Sequence, residues 1–300
     1  MPEARPSRWA LATAFAAIFF VWGSVYLAVQ FAVQTLPPFL MVGIRMAFAG
    51  AVLSAWALGR GAERPLAAHW RAAGLIGLLV VVAGSAGVAW AQKRGVPSGL
   101  TALLIATETF WIILIDWLLH AGHKPRPRVV AGVLLGFAGV ALLVAPGRMS
   151  GSVDPLGATV ILFGTVCWAG GSLYSRTAPQ PKSLLLAIGM QMLLGGLAAM
   201  VAGTLLGEWH DVDLGAVTPR SWVAFTYLLV FATLITFPAY IWLLRVVPAA
   251  RVSMYAYVNP VVALLLGWAI AHEPLTLREL GAAALIILSV ITVISAGEAR

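Results

Sequence analysis

The sequence predicts an all-α integral membrane protein, with ten transmembrane helices forming two inverted five-helix repeats around a central cavity. Three observations lead there. Charged residues make up only 10% of the 300 and hydrophobic residues 61%, whereas a soluble domain carries roughly 25% charge to cover its surface. Ten stretches reach the roughly 20 apolar residues that a bilayer crossing needs. The segment from Val247 to Glu273 also repeats an earlier one. Shifted by 151 positions, Val96, Pro97, Leu114 and Trp117 fall on Val247, Pro248, Leu265 and Trp268. Flanking segments match as well, so the chain reads as one unit written twice.

The ten stretches run at about 9–31, 37–58, 71–91, 97–119, 128–146, 155–175, 184–206, 221–243, 249–271 and 276–296. They divide into a first repeat, 9–146, and a second, 155–296. The first apolar run follows Arg5 and Arg8 and extends to about Phe31, beyond the roughly 7–15 residues of a signal-peptide core, so it reads as a retained span. Connections are short. The longest, near 207–220 with Glu208, Asp211 and Asp213, is too small for a domain. Helical periodicity does not discriminate here, because lipid surroundings require a helix that is apolar all round.

Orientation follows from basic residues. Of the 19 Lys and Arg, Lys93, Arg94, Arg148, Arg220 and Arg278 fall in one set of loops and Arg45 lies within a span; the other thirteen fall in the opposite set and at the termini. The excess places both termini in the cytoplasm. Each half has five spans, an odd number, so the second copy enters the membrane from the opposite side. Two inverted bundles that rock about a central site form a transporter arrangement. Further pairs support the alignment: Gly23-Ser24-Val25-Tyr26 with Gly171-Ser172-Leu173-Tyr174, and Gly43-Ile44-Arg45-Met46 with Gly189-Met190-Gln191-Met192.

Several classes are set aside. The +8 net charge has no basic helix or stripe behind it, so it reads as loop bias and no nucleic-acid partner is expected. Cys167 stands alone in an apolar run, which rules out a disulfide framework. The five His lie near segment ends, so no metal site is expected. No phosphate-binding loop is present, hence no direct ATP drive and no cofactor. The chain is not expected to be an enzyme, because no nucleophile–base pair lies mid-span; a channel is a further, weaker alternative.

The residues Trp22-Gly23-Ser24-x-Tyr26, Leu36-Pro37-Pro38 leading to Arg45, Val96-Pro97-Ser98-Gly99 and Tyr255-Ala256-Tyr257-Val258-Asn259-Pro260-Val261-Val262 resemble the drug/metabolite transporter superfamily, specifically proteins of two EamA-type repeats. The resemblance covers nearly the whole chain. It implies ten helices around a central cavity in the bacterial inner membrane, and export of amino acids or related metabolites. The superfamily also includes sugar, nucleotide-sugar and drug carriers, an alternative for which only Arg45 offers a midplane base. In one respect the chain departs from the pattern: Thr109 stands where the family often repeats Pro260.

Two charges lie deep in lipid. Arg45 is roughly 12 Å and Glu108 roughly 16 Å from the outer helix ends at about 1.5 Å per residue, so a pair between them is feasible. Gln191 and Asn259 occupy the matching places in the second repeat. An unpaired charge at the bilayer centre costs at least about 2.5–3.5 kcal/mol, so each should face protein or a wet cavity. Glu108 either binds a substrate ammonium or a proton, or forms a structural bond with Arg45. Tyr255 and Asn259 share a helix face, and Pro260 frees a carbonyl one turn earlier. Either these groups bind a substrate or Asn259 satisfies the broken ladder. Trp22 and Trp168 lie mid-span beside Ser24 and Ser172 and are candidate pocket walls. Tyr227, Phe231, Leu234 and Phe237 recur at helical spacing before Pro238, expected to kink the helix, and would wall a pocket for aromatic side chains or cations. Trp70, Trp117, Trp209, Trp222 and Trp268 sit near span ends, as interfacial belts do. Gly132, Gly136 and Gly139 read as close helix contacts, and Pro97 with Pro248 and Gly23 with Gly171 as bending points. The expected partners are a small-molecule substrate and lipid, around a monomer or homodimer.

Overall fold

The computed structural model describes residues 7–120, 127–144, 154–247, 252 and 254–297. Pro248 and Arg148, both used in the sequence argument, lie outside them, as do Arg5, Lys124, Arg126, Arg251, Arg300 and the side chains of Ala256 and Tyr257.

The described chain is helical throughout. Seven helices are long and apolar enough to cross a membrane: α1 (Arg8–Ala32), α2 (Pro38–Gly59), α3 (Ala67–Lys93), α4 (Ser98–Leu118), α6 (Pro155–Thr177), α7 (Leu184–Leu205) and α8 (Pro219–Leu244). Between and after them lie α5 (Pro127–Val144), α9 (Tyr255–Ala271) and α10 (Leu277–Gly297). Their starts are written locally. Pro38, Pro155 and Pro219 occupy the first turn, where a missing N–H costs nothing. Asp154, Ser183 and Thr218 accept from Leu156, Leu186 and Ser221 N–H groups.

Two helix pairs pack along their length, α2 on α7 and α5 on α10. Small residues permit it. A Cβ on Gly43 of α2 would come within 2.9 Å of the Gly196 carbonyl of α7, and one on Gly139 of α5 within 2.8 Å of Ile286 on α10. Ser289 Oγ donates to the Gly132 carbonyl at 2.5 Å. The Gly132, Gly136 and Gly139 face is therefore a packing face, where close backbone approach supplies the dispersion contacts that lipid cannot. Between these pairs, α1 packs on α8 and α9, α6 on α3 and α4, and α4 on α9. Trp70, Trp117, Trp209, Trp222 and Trp268 are all exposed.

Three helices contain π-helical turns: Ala17–Val21 in α1, Leu78–Ala86 in α3 and Leu228–Ile235 in α8. Each inserts extra residues into the turn and rotates everything beyond it. This corrects the expected aromatic stripe on α8. Tyr227 stacks on Phe231 with centroids 5.6 Å apart, but Phe231 is 47% exposed, whereas Phe237 points to Trp22. The rings do not form one wall, because the π turn lies between them.

A second correction concerns the charged pair. No ion pair joins Arg45 to Glu108 among the described residues. Equal depth fixes position along the membrane normal but not around it. Arg45 is 4% exposed, with its Nε unpartnered among the described residues, on a helix whose main partner is α7. Glu108 faces other helices.

Candidate functional site

Glu108 stands at a break in α4. The α-helix stops at Ala106 and restarts at Glu108; Thr107 turns its hydroxyl onto the Leu104 carbonyl at 2.6 Å, a bond that competes with the helical ladder. The carboxylate lies in electrostatic range of three tyrosines from three helices: Tyr26 of α1, Tyr240 of α8 and Tyr255 of α9.

Tyr240 and Tyr255 belong to a ring cluster centred on Trp22. Its centroid is 5.1 Å from Phe237, 5.2 Å from Tyr240 and 5.3 Å from Tyr255, the first and last edge-on. Tyr240 and Tyr255 are themselves 6.0 Å apart. Edge-to-face pairs at these separations are attractive through the ring quadrupoles. The Trp22 indole N–H donates to the Ala232 carbonyl at 3.1 Å, within the π turn of α8. Two residues on, Ser24 Oγ donates to the Val21 carbonyl at 2.9 Å and meets the Tyr227 hydroxyl at 2.7 Å.

Asn259 is buried against the π turn of α1. With its amide nitrogen facing the carbonyls, it donates toward Ile18 (3.1–3.2 Å with its neighbour Phe19) and Tyr255 at 3.2 Å. Those contacts fasten α9 to α1, where Gly23 leaves room for Val262. Pro260 follows inside α9 and is buried.

The other candidates are placed apart. Trp168 lies over Gly84 in the π turn of α3, where an added Cβ would meet its Cε3 at 2.8 Å. The Ser172 carbonyl accepts from Ser175 Oγ at 2.7 Å. Gln191 Nε2 donates to Gln180 Oε1 at 3.3 Å, and Gln180 in turn to the Ser175 carbonyl. Pro238 lines a cavity of about 520 Å³ at the α2–α3 end, with Trp56, Arg60, Ser183, Ile241 and Trp242. The structure therefore gathers Trp22, Ser24, Tyr227, Tyr255 and Asn259 around α1, with Glu108 in electrostatic range of Tyr240 and Tyr255. Trp168, Ser172, Gln191 and Arg45 stand elsewhere.

At the opposite end, polar ties join the helix ends. Arg94 bonds Asp154, and this holds the Asp154 carboxyl below its usual range, chiefly through the Arg94 hydrogen bond. Ser221 Oγ donates to the Phe31 carbonyl at 2.8 Å, and the Arg220 guanidinium lies 3.6 Å from the Phe31 ring centroid. Glu208 accepts from Phe39 N at 3.1 Å and Leu40 N at 2.9 Å. Glu273 accepts from Ser98 and Gly99. At the α2–α3 end the exposed Lys182 pairs with Glu63 at 2.8 Å, which raises the Lys182 pKa through that hydrogen bond.

Sequence reasoning missed Tyr240, the site role of Tyr26, and both capping glutamates. The Val-Pro-Ser-Gly motif at the start of α4 was the one available signal for the Glu273 contact.

Comparison with known proteins gives this architecture its relatives. An uncharacterized inner membrane transporter, YedA, of Escherichia coli (strain K12) is 36% identical over 278 residues, which are 92% of this chain and 88% of YedA. A protein of Salmonella typhimurium named "Probable amino-acid metabolite efflux pump" is 23% identical over 272 residues, 89% of each chain. A solved structure described as "Crystal structure of protein" shares the fold at a TM-score of 0.63 and 22% identity, over 96% of this chain and 98% of that one. The sequence model of the EamA-like transporter family matches twice, at residues 8–145 and 155–295. Nearly all of the chain is thereby accounted for, and it belongs to the EamA-like transporter family.

Proposed function

We propose that the chain is a secondary transporter that exports amino acids, aromatic ones included, and related small amphipathic metabolites across the bacterial inner membrane. Ten spans in two inverted repeats with both termini cytoplasmic would move the substrate by alternating access. The observation that carries this reading is Trp22 packed against Tyr240 and Tyr255, in electrostatic range of Glu108. A carboxylate beside ring faces is suited to an ammonium group, and the rings to an apolar side chain. The relative named as an amino-acid metabolite efflux pump points to the same substrates.

Alternating access draws support from the contrast between the two ends. Polar ties close the α1–α2 end, and the cavity of about 520 Å³ opens at the other. The orientation expected from the basic residues puts that cavity on the cytoplasmic side, where an exporter loads.

The test is counterflow. Purified protein in liposomes is loaded in turn with unlabelled Thr, Phe, Met and Lys, and uptake of the labelled amino acid is followed. Saturable, competable uptake of Phe or Met is expected. Uptake that does not saturate indicates a pore, and no uptake from the panel removes amino acids as the cargo.

A further inference from the structure

The Glu273 contact is built with more care than a helix end requires. α9 stops at His272, whose φ of 55° is the one positive value among the described non-glycine residues. That left-handed turn, unusual without glycine, folds the chain back: Glu273 N–H donates to the Gly267 carbonyl at 3.0 Å. The side chain then crosses to the first turn of α4. Oε1 accepts from Ser98 N at 2.7 Å and Ser98 Oγ at 2.9 Å, and Oε2 accepts from Gly99 N at 3.0 Å. Gln30 of α1 contributes Oε1 to the same Ser98 N–H at 3.2 Å. Two glycines make room: a Cβ on Gly99 would come 3.3 Å from Glu273 Oε2, and one on Gly267 would meet its carboxyl carbon at 2.9 Å.

The carboxylate thus fastens α9 to α4, and Gln30 ties α1 to the same Ser98 N–H, at the end where the other polar ties lie. Glu108, on α4, and Tyr255, on α9, belong to two of these helices. Separating α4 from α9 at this end means breaking three bonds to a carboxylate, each stronger than a neutral hydrogen bond. A cavity of about 20 Å³ borders the carboxylate, lined in part by Gly99, Leu264 and Glu279; that is room for one water, so the bonds can exchange to solvent as they break.

The repeat does not carry this device twice. The residues 151 places after Ser98 and Gly99 are Ala249 and Ala250, and the residue 151 places before Glu273 is Gly122. Hydroxyl and carboxylate are missing from the second copy of the motif.

We infer that Glu273 is a one-sided latch: a positioning residue that holds the α1–α2 end shut by bonding α9 to the start of α4, and that lets go when this end opens. This rests on the alternating-access reading. Because the latch biases a two-state equilibrium, its loss shifts the populations without any substrate present.

The experiment reads opening directly. In a Cys167→Ser background, Thr101→Cys places a thiol at a fully buried position one turn beneath Ser98. The rate of its labelling by a membrane-impermeant maleimide, added from the α1–α2 side of intact membranes, is measured. Glu273→Gln is expected to raise that rate about tenfold, since its amide sets a donor against a donor. Ser98→Ala, which removes one of the three bonds, is expected to raise it less. Lys182→Ala, at the other end, is expected to leave it unchanged. An unaltered rate in Glu273→Gln that elutes as a folded protein, or in Ser98→Ala should Glu273→Gln not fold, overturns the latch and leaves Glu273 a helix cap. Labelling requires no transport, so a raised rate in a protein that moves no amino acid sustains the latch and removes the proposed cargo instead.

Discussion

Trp22 and Trp168 hold related positions in the two repeats, each followed by a Ser-x-Tyr, yet their surroundings differ. Trp22 bonds the Ala232 carbonyl and touches three rings. Ser24 beside it meets Tyr227 at 2.7 Å. Trp168 lies over a glycine of α3, and Tyr174, the partner of Tyr26 in the repeat, is 36% exposed while Tyr26 is half-buried in electrostatic range of Glu108. Duplication preserved the backbone plan and let the side chains diverge. The proposed binding site is therefore one-sided, built on α1, α8 and α9 with a single acid from α4.

The largest difference between the two sides should come from the tryptophans themselves. Trp22 is partly buried, so Trp22→Ala is expected to cost about 3 kcal/mol, the lower end for truncating a large ring, and to abolish counterflow. Trp168→Ala should leave measurable counterflow, with a smaller drop in thermal stability in detergent. Equal losses would erase the distinction.

Crowding Trp168 from the opposite wall comes next. Gly84→Ala puts a Cβ 2.8 Å from its Cε3, an overpacking expected to cost about 1–3 kcal/mol. A Trp168→Ala background should relieve that cost, which a double-mutant cycle of melting temperatures reads directly.

A finer comparison concerns the serines. Ser24→Ala removes the bond to Tyr227, and interhelical hydrogen bonds in membranes average about 0.6 kcal/mol. Ser172→Ala is expected to be neutral, so the two melting curves should separate by about that much.

The smallest effect is the pH response of the Arg94–Asp154 tie. The native carboxyl is held below its ordinary value, so the tie contributes above the unfolded pKa of about 3.9 and is lost as pH falls through the lower native value. Stability should show no contribution from this pair's titration near neutral pH. Asp154→Asn should flatten the acid limb alone, as thermal melts between about pH 2 and 5 would show.

Much of this was legible in the sequence. The two repeats, seven of the spans and the glycine face of α5 follow from length, composition and small-residue spacing. What could not be read was azimuth. Arg45 and Glu108 have similar depth, but depth leaves rotation about the membrane normal free, and α2 turns to α7. The π turns carry no marker in the sequence, and each redirects the residues that follow it, which is why Phe231 and Phe237 part company. Tyr26 and Tyr240 looked ordinary because their meeting with Glu108 depends on how α1, α4 and α8 converge. Glu273 was visible as the end of the repeated stretch, but its bonds depend on the crossing of α9 and α4.

The claim on which the rest depends is that cargo passes through the Glu108 and Trp22 cluster. Counterflow of labelled Phe by Glu108→Gln, at an expression and melting temperature matched to the parent protein, tests it most directly. A fall of at least about tenfold, the cost of one charge-assisted contact, is the predicted result. Unchanged counterflow with an unchanged pH dependence would mean that the acid only holds helices together and that the route lies elsewhere.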